Sequence, residues 1–252
     1  MNYLDLFSGV GGFALGAYWA GMKFENHFFS DIEKYPVKLY QKRFPDAIAL
    51  GDITKIDWQG LKDKYPGIWI ITGGFPCQDI SVAGKGRGMI DEKGNKTRSG
   101  LWFKMWNSIR ILQPRFAIIE NVGVLVNRGL DTVLSNLAEI GYNAEWQDIR
   151  AEDMGAPHKR ERIWIIAYPA SINDGYTNKK RRTSFKFRDC AWGDFATERK
   201  EKIKSCFLRV DDGLPEDVDR LKGLGNSIVP QIAQLLFEQI KPYIQETKND
   251  KS

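Results

Sequence analysis

Five short segments of the sequence carry residues whose types and spacing could do chemistry. The first is Ser8-Gly9-Val10-Gly11-Gly12, a glycine turn after the apolar run 2–7. Such a turn lets backbone N–H groups approach a ligand closely. It is not a full G-x-G-x-x-G, because Ala14 stands where the third glycine would be. Asp31 lies close to the ~20-residue offset at which an acid meets ribose hydroxyls. The pattern indicates a nucleoside cofactor without choosing between a dinucleotide and S-adenosylmethionine.

The second segment is Gly73-Gly74-Phe75-Pro76-Cys77-Gln78, where a cysteine follows an apolar run. A lone cysteine more often serves as a small buried hydrophobe. Here the stiff Pro76, the polar Gln78 and the loop that follows favour an accessible thiol. A thiol of pKa ~8.5 is little ionised at neutral pH, so a nucleophilic role needs cationic or dipolar help. The third segment, Glu120-Asn121-Val122, follows the run 115–119. Alone it would read as a solvated charge or a helix cap. Placed at the same sheet edge as Cys77, its acid could face the same substrate. The fourth is His158-Lys159-Arg160-Glu161-Arg162-Ile163-Trp164. On a strand, Arg160, Arg162 and Trp164 would share one face by period two. That would aim two guanidinium groups at a base, a phosphate or a thiolate; the plainer reading is a solvated charged hairpin. The fifth, Gly225-Asn226-Ser227-Ile228-Val229-Pro230, precedes a helix that Asn226 or Ser227 could simply cap.

Elements must position these segments. The periodicity predicts a strand at 2–7, a helix at 13–21, a strand at 27–30 and a helix near 32–44. Further strands are predicted at 68–72 and 115–119, with helices at 101–112 and 129–140. Two extended stretches follow, 142–149 and 162–168, and a last helix spans 228–242. Strands alternating with helices define an α/β, Rossmann-like, doubly wound fold, whose ligands gather at the carboxyl edge of the sheet. The glycine-rich, charged stretch 84–100 reads as a loop. Composition then divides the chain into 1–168, 169–219 and 220–244. The middle part is poor in aliphatic residues and includes Lys179-Lys180-Arg181-Arg182.

The chain has 252 residues, 42% of them hydrophobic, enough for one large domain with a core. A net charge of +5 permits a polyanionic partner without proving one. Three widely spaced cysteines, Cys77, Cys190 and Cys206, with no C-x-x-C, argue against a disulfide framework or a zinc site. The N-terminus reads as no signal peptide, and no apolar run reaches the ~20 residues that span a bilayer. The expectation is a cytoplasmic protein with no metal and no membrane association.

In this order, the segments resemble the DNA (cytosine-5) methyltransferase family. The resemblance runs from Asp5 to about Tyr168 and resumes from Arg220. Asp5-Leu-Phe-Ser-Gly-Val-Gly-Gly12 looks like the family's first motif and Gly74-Phe-Pro-Cys-Gln78 like its nucleophile motif. Glu120-Asn121-Val122 matches the acidic motif and Gly225-Asn226-Ser227 the last one. The resemblance implies a catalytic domain that uses S-adenosylmethionine and carries a small target-recognition module at 169–219. Phe7, Gly9 and Gly11 would line the cofactor, Asp31 would hold its ribose, and Ile32 would pack on its adenine. Asp52 would read the adenine amino group, with Ile53 and Pro76 nearby, and Asn226 and Ser227 would close the wall. Cys77 would attack carbon 6 of cytosine, Glu120 would support N3, and Arg162, assisted by Arg160, would contact the base. Gln78, Ser81, Lys85 and Arg87 would meet double-stranded DNA around a base flipped from the duplex.

His158 stands where many members have Gln, and the recognition module is short, which bears on the length of the recognised sequence. The implied setting is a monomer in a bacterial or phage-infected cell, with a cognate restriction endonuclease, where there is one, acting separately. The alternative substrate is tRNA, with the same catalytic set. A non-catalytic DNA-binding protein would not need every catalytic residue. A nicotinamide-dependent oxidoreductase leaves Cys77, Glu120-Asn121 and Gly225-Asn226-Ser227 without roles.

Overall fold

The computed structural model describes residues 1–76, 98–154, 160–171 and 228–245. They form one seven-stranded mixed sheet of order β3-β2-β1-β4-β5-β7-β6. The strands are β1 (Asn2–Leu6), β2 (Asn26–Ser30), β3 (Ile48–Ala49), β4 (Trp69–Gly73), β5 (Phe116–Val122), β6 (Tyr142–Arg150) and β7 (Glu161–Pro169). The first five are parallel, and β7 inserts antiparallel between β5 and β6. Every residue of β1 and β4 is buried, as expected of central parallel strands covered on both faces.

Helices are α1 (Gly12–Trp19), α2 (Lys34–Arg43), α3 (Trp58–Lys64), α4 (Trp102–Leu112), α5 (Leu125–Arg128), α6 (Leu130–Glu139) and α7 (Pro230–Gln245). Two hydrophobic clusters lie on the two sides of the sheet. One joins Phe13 and Ala17 of α1, Tyr40 of α2 and Ile232, Leu236 and Ile240 of α7. The other joins Trp58 of α3, Met105 and Ile109 of α4 and Val133 and Leu137 of α6. Chain order runs outward from β1 to β3, then crosses back to β4. The switch point therefore lies between β1 and β4, where Leu6 is level with Gly73. A crevice outside the carboxyl ends of these strands is where open α/β sheets bind ligands.

The structure adjusts several expectations. Glu120 and Asn121 lie inside β5, not beyond it, because pairing with β7 carries the ladder on to Val122. Arg160 precedes β7 with φ of 20°, so it does not join the period-two face of Arg162 and Trp164. The expected loop 84–100 lies outside the described residues up to 97, and Arg98–Leu101 form a 3₁₀ turn leading into α4. β3, α3 and α5 were not anticipated. α3 does carry a legible start signal, because the Asp57 side chain accepts from Gly60 N–H as an N-cap. The module expected at 169–219 lies outside the described residues from 172 onward.

Candidate active site at the switch point

The glycine turn leaves the carboxyl end of β1 with left-handed backbone at Phe7 (φ 52°), Gly9 (φ 52°) and Gly11 (φ 86°). Ser8 N–H donates to Ser30 O, and Gly11 N–H donates back to Ser8 O at 2.9 Å. Asp31 follows β2; its Oδ2 accepts Gly9 N–H at 2.8 Å and its Oδ1 accepts Glu33 N–H. One carboxylate thus pins the turn to the next strand. A Cβ built on Gly9 would meet open space, and Ile32, next to Asp31 in sequence, is 71% exposed. Ser8 Oγ is buried and has no hydrogen-bond partner among the described residues. Open space over a left-handed turn, an exposed aliphatic face, a carboxylate and an unpartnered hydroxyl suit a nucleoside cofactor. Asp52 follows β3, and the preceding Gly51 carbonyl accepts from Ser30 Oγ at 2.6 Å, which ties this segment to the end of β2. Hydrogen bonds from the N–H and hydroxyl of Thr54 hold the Asp52 carboxyl below the usual range. Ile53, by contrast, is buried in the core with Trp58.

Across the switch point, β4 delivers Gly74, Phe75 and Pro76. Phe75 is buried against Trp102, with ring centroids 5.5 Å apart. Its carbonyl accepts from Asn121 Nδ2 at 3.1 Å, which ties the approach to residue 77 onto β5. A Cβ on Gly74 would lie 3.0 Å from Glu120 Oε2, so the Glu120 carboxylate sits directly against this loop. Glu120 pairs in register with Trp164, which places Arg162 diagonally on the same face. Arg162 Nε meets Glu120 Oε1 at 3.1 Å. Burial pushes the Glu120 carboxyl above its usual range, and the charges of Arg162 and Arg160 pull it back in part. The result is a buried carboxyl beside a guanidinium at the root of the loop that continues to Cys77.

Residues 1–210 match the family model of C-5 cytosine-specific DNA methylases. The chain belongs to this family. The Type II methyltransferase M1.ScrFI of Lactococcus lactis subsp. cremoris is 36% identical over 69% of this chain and 43% of its own. M.BsuFI of Bacillus subtilis is 30% identical over 87% of this chain and 53% of its own. The orphan methyltransferase M.Rho11sI of Bacillus phage rho11s is 32% identical over 72% and 36%. The chain thus spans about half the length, or less, of these curated relatives. Among solved structures, the Entamoeba histolytica methyltransferase EhMeth aligns over 96% of this chain and 98% of its own. Its TM-score is 0.65 and its identity 17%, a likeness of fold. Family members take their methyl group from S-adenosylmethionine.

The chain brings together Phe7, Gly9, Gly11 and Asp31 on one side of the crevice, with Ile32 next to Asp31 in sequence. On the other side it brings together Pro76, Glu120, Arg162 and Arg160. Cys77, Gln78, Ser81, Lys85, Arg87, Asn226 and Ser227 lie outside the described residues. Ile228 is the first described residue after Ser227. Its carbonyl would lie 2.6 Å from a Cβ on Gly12, and its Cδ1 3.7 Å from one on Gly74, so it bridges the start of α1 and the residues that follow β4.

Sequence reasoning passed over three contributors. In the sequence Asn121 reads only as the neighbour of Glu120, whereas its side chain holds the Phe75 carbonyl. Asp5 lies at the middle of a buried chain of hydrogen bonds, accepting from Thr72 Oγ1 at 2.9 Å and Tyr40 Oη at 3.1 Å. Arg43 donates from Nη1 to Val10 O at 2.8 Å. No spacing announces the last two, because their partners lie on other elements. Among the described residues, no helix is long and apolar enough to cross a membrane.

Proposed function

We propose that this methylase transfers a methyl group to carbon 5 of cytosine within a specific double-stranded DNA sequence, through a covalent Cys77 adduct with a base turned out of the duplex. The observation that carries the reading is the buried Glu120 carboxyl, paired with Arg162 and packed against Gly74, three residues before the cysteine. S-adenosylmethionine, when bound, supplies the electrophilic methyl group that carbon 5 takes up. Asp31 would hold its ribose hydroxyls, Ile32 its adenine face and Asp52 the adenine amino group. Phe7, Gly9 and Gly11 would line the remainder, and Asn226 and Ser227 would close the wall.

Carbon 5 of cytosine is a weak nucleophile. Addition of the Cys77 sulfur to carbon 6, with a proton held at N3 by Glu120, places enamine-like electron density on carbon 5. Loss of the C5 proton to water then returns its electron pair to the C5–C6 bond and expels the sulfur as thiolate, and N3 gives its proton back to Glu120. A carboxyl lifted by burial suits this work, since it holds its proton more readily than an exposed glutamate and can share it with N3. Arg162 keeps the carboxyl oriented and would contact the base; Arg160 would assist through its charge. We read 169–219 as the recognition module, 220–244 as the segment returning to the catalytic domain, and Gln78, Ser81, Lys85 and Arg87 as DNA contacts. A monomeric enzyme, with any cognate endonuclease acting separately, completes the proposal.

The test is methyl transfer from labelled S-adenosylmethionine to duplex DNA and to tRNA. Transfer to DNA, its loss in a folded Cys77→Ala protein and a covalent adduct with 5-fluorocytosine DNA are the expected results. The adduct persists because fluorine does not leave as a proton does. Transfer to tRNA alone would move the substrate to RNA. Wild-type turnover by Cys77→Ala would rule out the mechanism.

A further inference from the structure

The last turn of α2 lies beneath the glycine turn. Tyr40, Arg43 and Phe44 stand at i, i+3 and i+4, and so share one face of the helix end. A Cβ on Gly11 would lie 2.8 Å from Phe44 Cε2 and 3.1 Å from two ring atoms of Tyr40, so these rings form the floor of the turn. The rings are themselves fixed. Tyr40 stacks on Phe29 with centroids 4.2 Å apart and is buried, and Phe44 stacks on Tyr18. Arg43 adds a directional contact, because its Nη1 donates to the carbonyl of Val10 across 33 residues of sequence.

A peptide group is planar and trans, so holding the Val10 carbonyl on α2 turns the Gly11 N–H the opposite way. That N–H closes the turn by donating to Ser8 O. On the opposite side, Gly9 N–H is held by Asp31. The turn is thereby gripped from two sides, by the carboxylate after β2 at Gly9 and by the guanidinium at the end of α2 at Val10.

We infer that Arg43 is a positioning residue for the cofactor: its hydrogen bond to Val10 presets the glycine turn in the shape that receives S-adenosylmethionine. The inference rests on the reading that this turn is the cofactor site. Arg43 itself is exposed, so replacing it leaves the core intact. A charge-assisted hydrogen bond is stronger than a neutral one. Its loss would let the turn sample other shapes, and the cost would fall on cofactor binding, because a receptor that is less preorganised binds more weakly.

The experiment measures S-adenosylmethionine affinity of the full chain by calorimetry, together with KM, kcat and thermal midpoint. The proteins are wild type, Arg43→Ala, Arg43→Lys, Asp31→Ala and the neighbouring surface control Lys42→Ala. Arg43→Ala is expected to weaken binding about tenfold and to raise KM for the cofactor in proportion. Its kcat should stay within twofold and its thermal midpoint should be unchanged. Arg43→Lys, whose ammonium can still reach a carbonyl, should recover most of the affinity, and Lys42→Ala should match wild type. Unchanged affinity in Arg43→Ala, alongside weakened binding in Asp31→Ala, would overturn the role of Arg43 and leave the cofactor site standing. Wild-type affinity in both variants would overturn the cofactor-site reading and this inference with it. Weakened binding in Arg43→Ala that tracks a lowered midpoint, with no recovery by Lys, would show a merely structural role and also overturn the inference.

Discussion

At the scale of single residues, the site depends on how Glu120 is held. Desolvation favours its protonated form, while Arg162 at 3.1 Å favours the charged form, and burial is the larger effect. A carboxyl raised in this way keeps its proton to higher pH than an exposed glutamate. If the protonated carboxyl supports N3, the rate should fall as pH rises through the Glu120 pKa. Glu120→Gln keeps the shape but has no acidic proton to share. It should lower single-turnover methyl transfer by about 100-fold or more and remove that limb of the pH–rate profile. A Gln variant with an unchanged profile would detach Glu120 from proton transfer. Gly74 is the companion case. An added methyl group would stand 3.0 Å from Glu120 Oε2, so Gly74→Ala should displace the carboxylate and slow the chemical step more than it affects cofactor binding. Separate measurement of single-turnover rate and S-adenosylmethionine affinity checks this.

At the scale of elements, α1 and α7 decide whether the chain's late segment reaches the site. Gly12 and Gly16 stand four apart on α1 and admit the other helix. A Cβ on Gly16 would lie 2.6 Å from Ala233 Cβ, from Gln234 N and from Pro230 O, contacts that backbone cannot relieve cheaply. Gly16→Val should therefore push α7 away and cost about 1–3 kcal/mol through overpacking. That corresponds to a fall of several degrees in thermal midpoint for a chain of this size, since ~1 kcal/mol shifts it by about 2–4 °C. Affinity for S-adenosylmethionine should fall as well, because Ile228, which bridges the start of α1 and Gly74, is carried on the same segment. A stable variant with normal affinity would mean that the helices tolerate separation and that Ile228 is not needed in place.

At the scale of the whole molecule, a polar chain that starts at the half-exposed Tyr18 and runs into the core ties α1, β2 and α2 to the two strands at the switch point. Tyr18 Oη contacts His27 Nδ1, His27 Nε2 contacts Tyr40 Oη, Tyr40 Oη donates to Asp5, and Thr72 Oγ1 donates to Asp5 from the neighbouring strand. Burial pushes Asp5 up to about 8 and His27 down to about 4, so the fold favours the neutral form of both. For Asp5, whose pKa is raised on folding, the linked stability is present below the unfolded value near 3.9 and is lost as pH rises through about 8. For His27, whose pKa is lowered, the linked stability is present above the unfolded value near 6.5 and is lost as pH falls through about 4. Asp5→Asn should flatten the decline in thermal midpoint between about pH 4 and 8, leaving the acid-side decline from His27 in place. Midpoints of the two proteins across that range test this; parallel curves would show that Asp5 does not carry the alkaline loss.

The sequence alone determined the succession of the longer strands and helices, though not the short β3, α3 and α5, and the chemistry-bearing residue types, because periodicity and glycine turns are local signals. Strand β1, the glycine turn and Asp31 were legible in this way, and so was the pairing in order of a cysteine loop with an acidic strand. Tertiary structure decided what depends on partners distant in sequence. Pairing with β7 extended β5 beyond its apolar run, so Glu120 became a buried strand residue facing Arg162. The left turn of the backbone before β7 took Arg160 off the shared face. Asp5, Asn121, Arg43 and the helix-facing glycines of α1 acquired their roles only when strands and helices far apart along the chain came into hydrogen-bonding and van der Waals contact. Such contacts leave no period in the sequence from which they could be read.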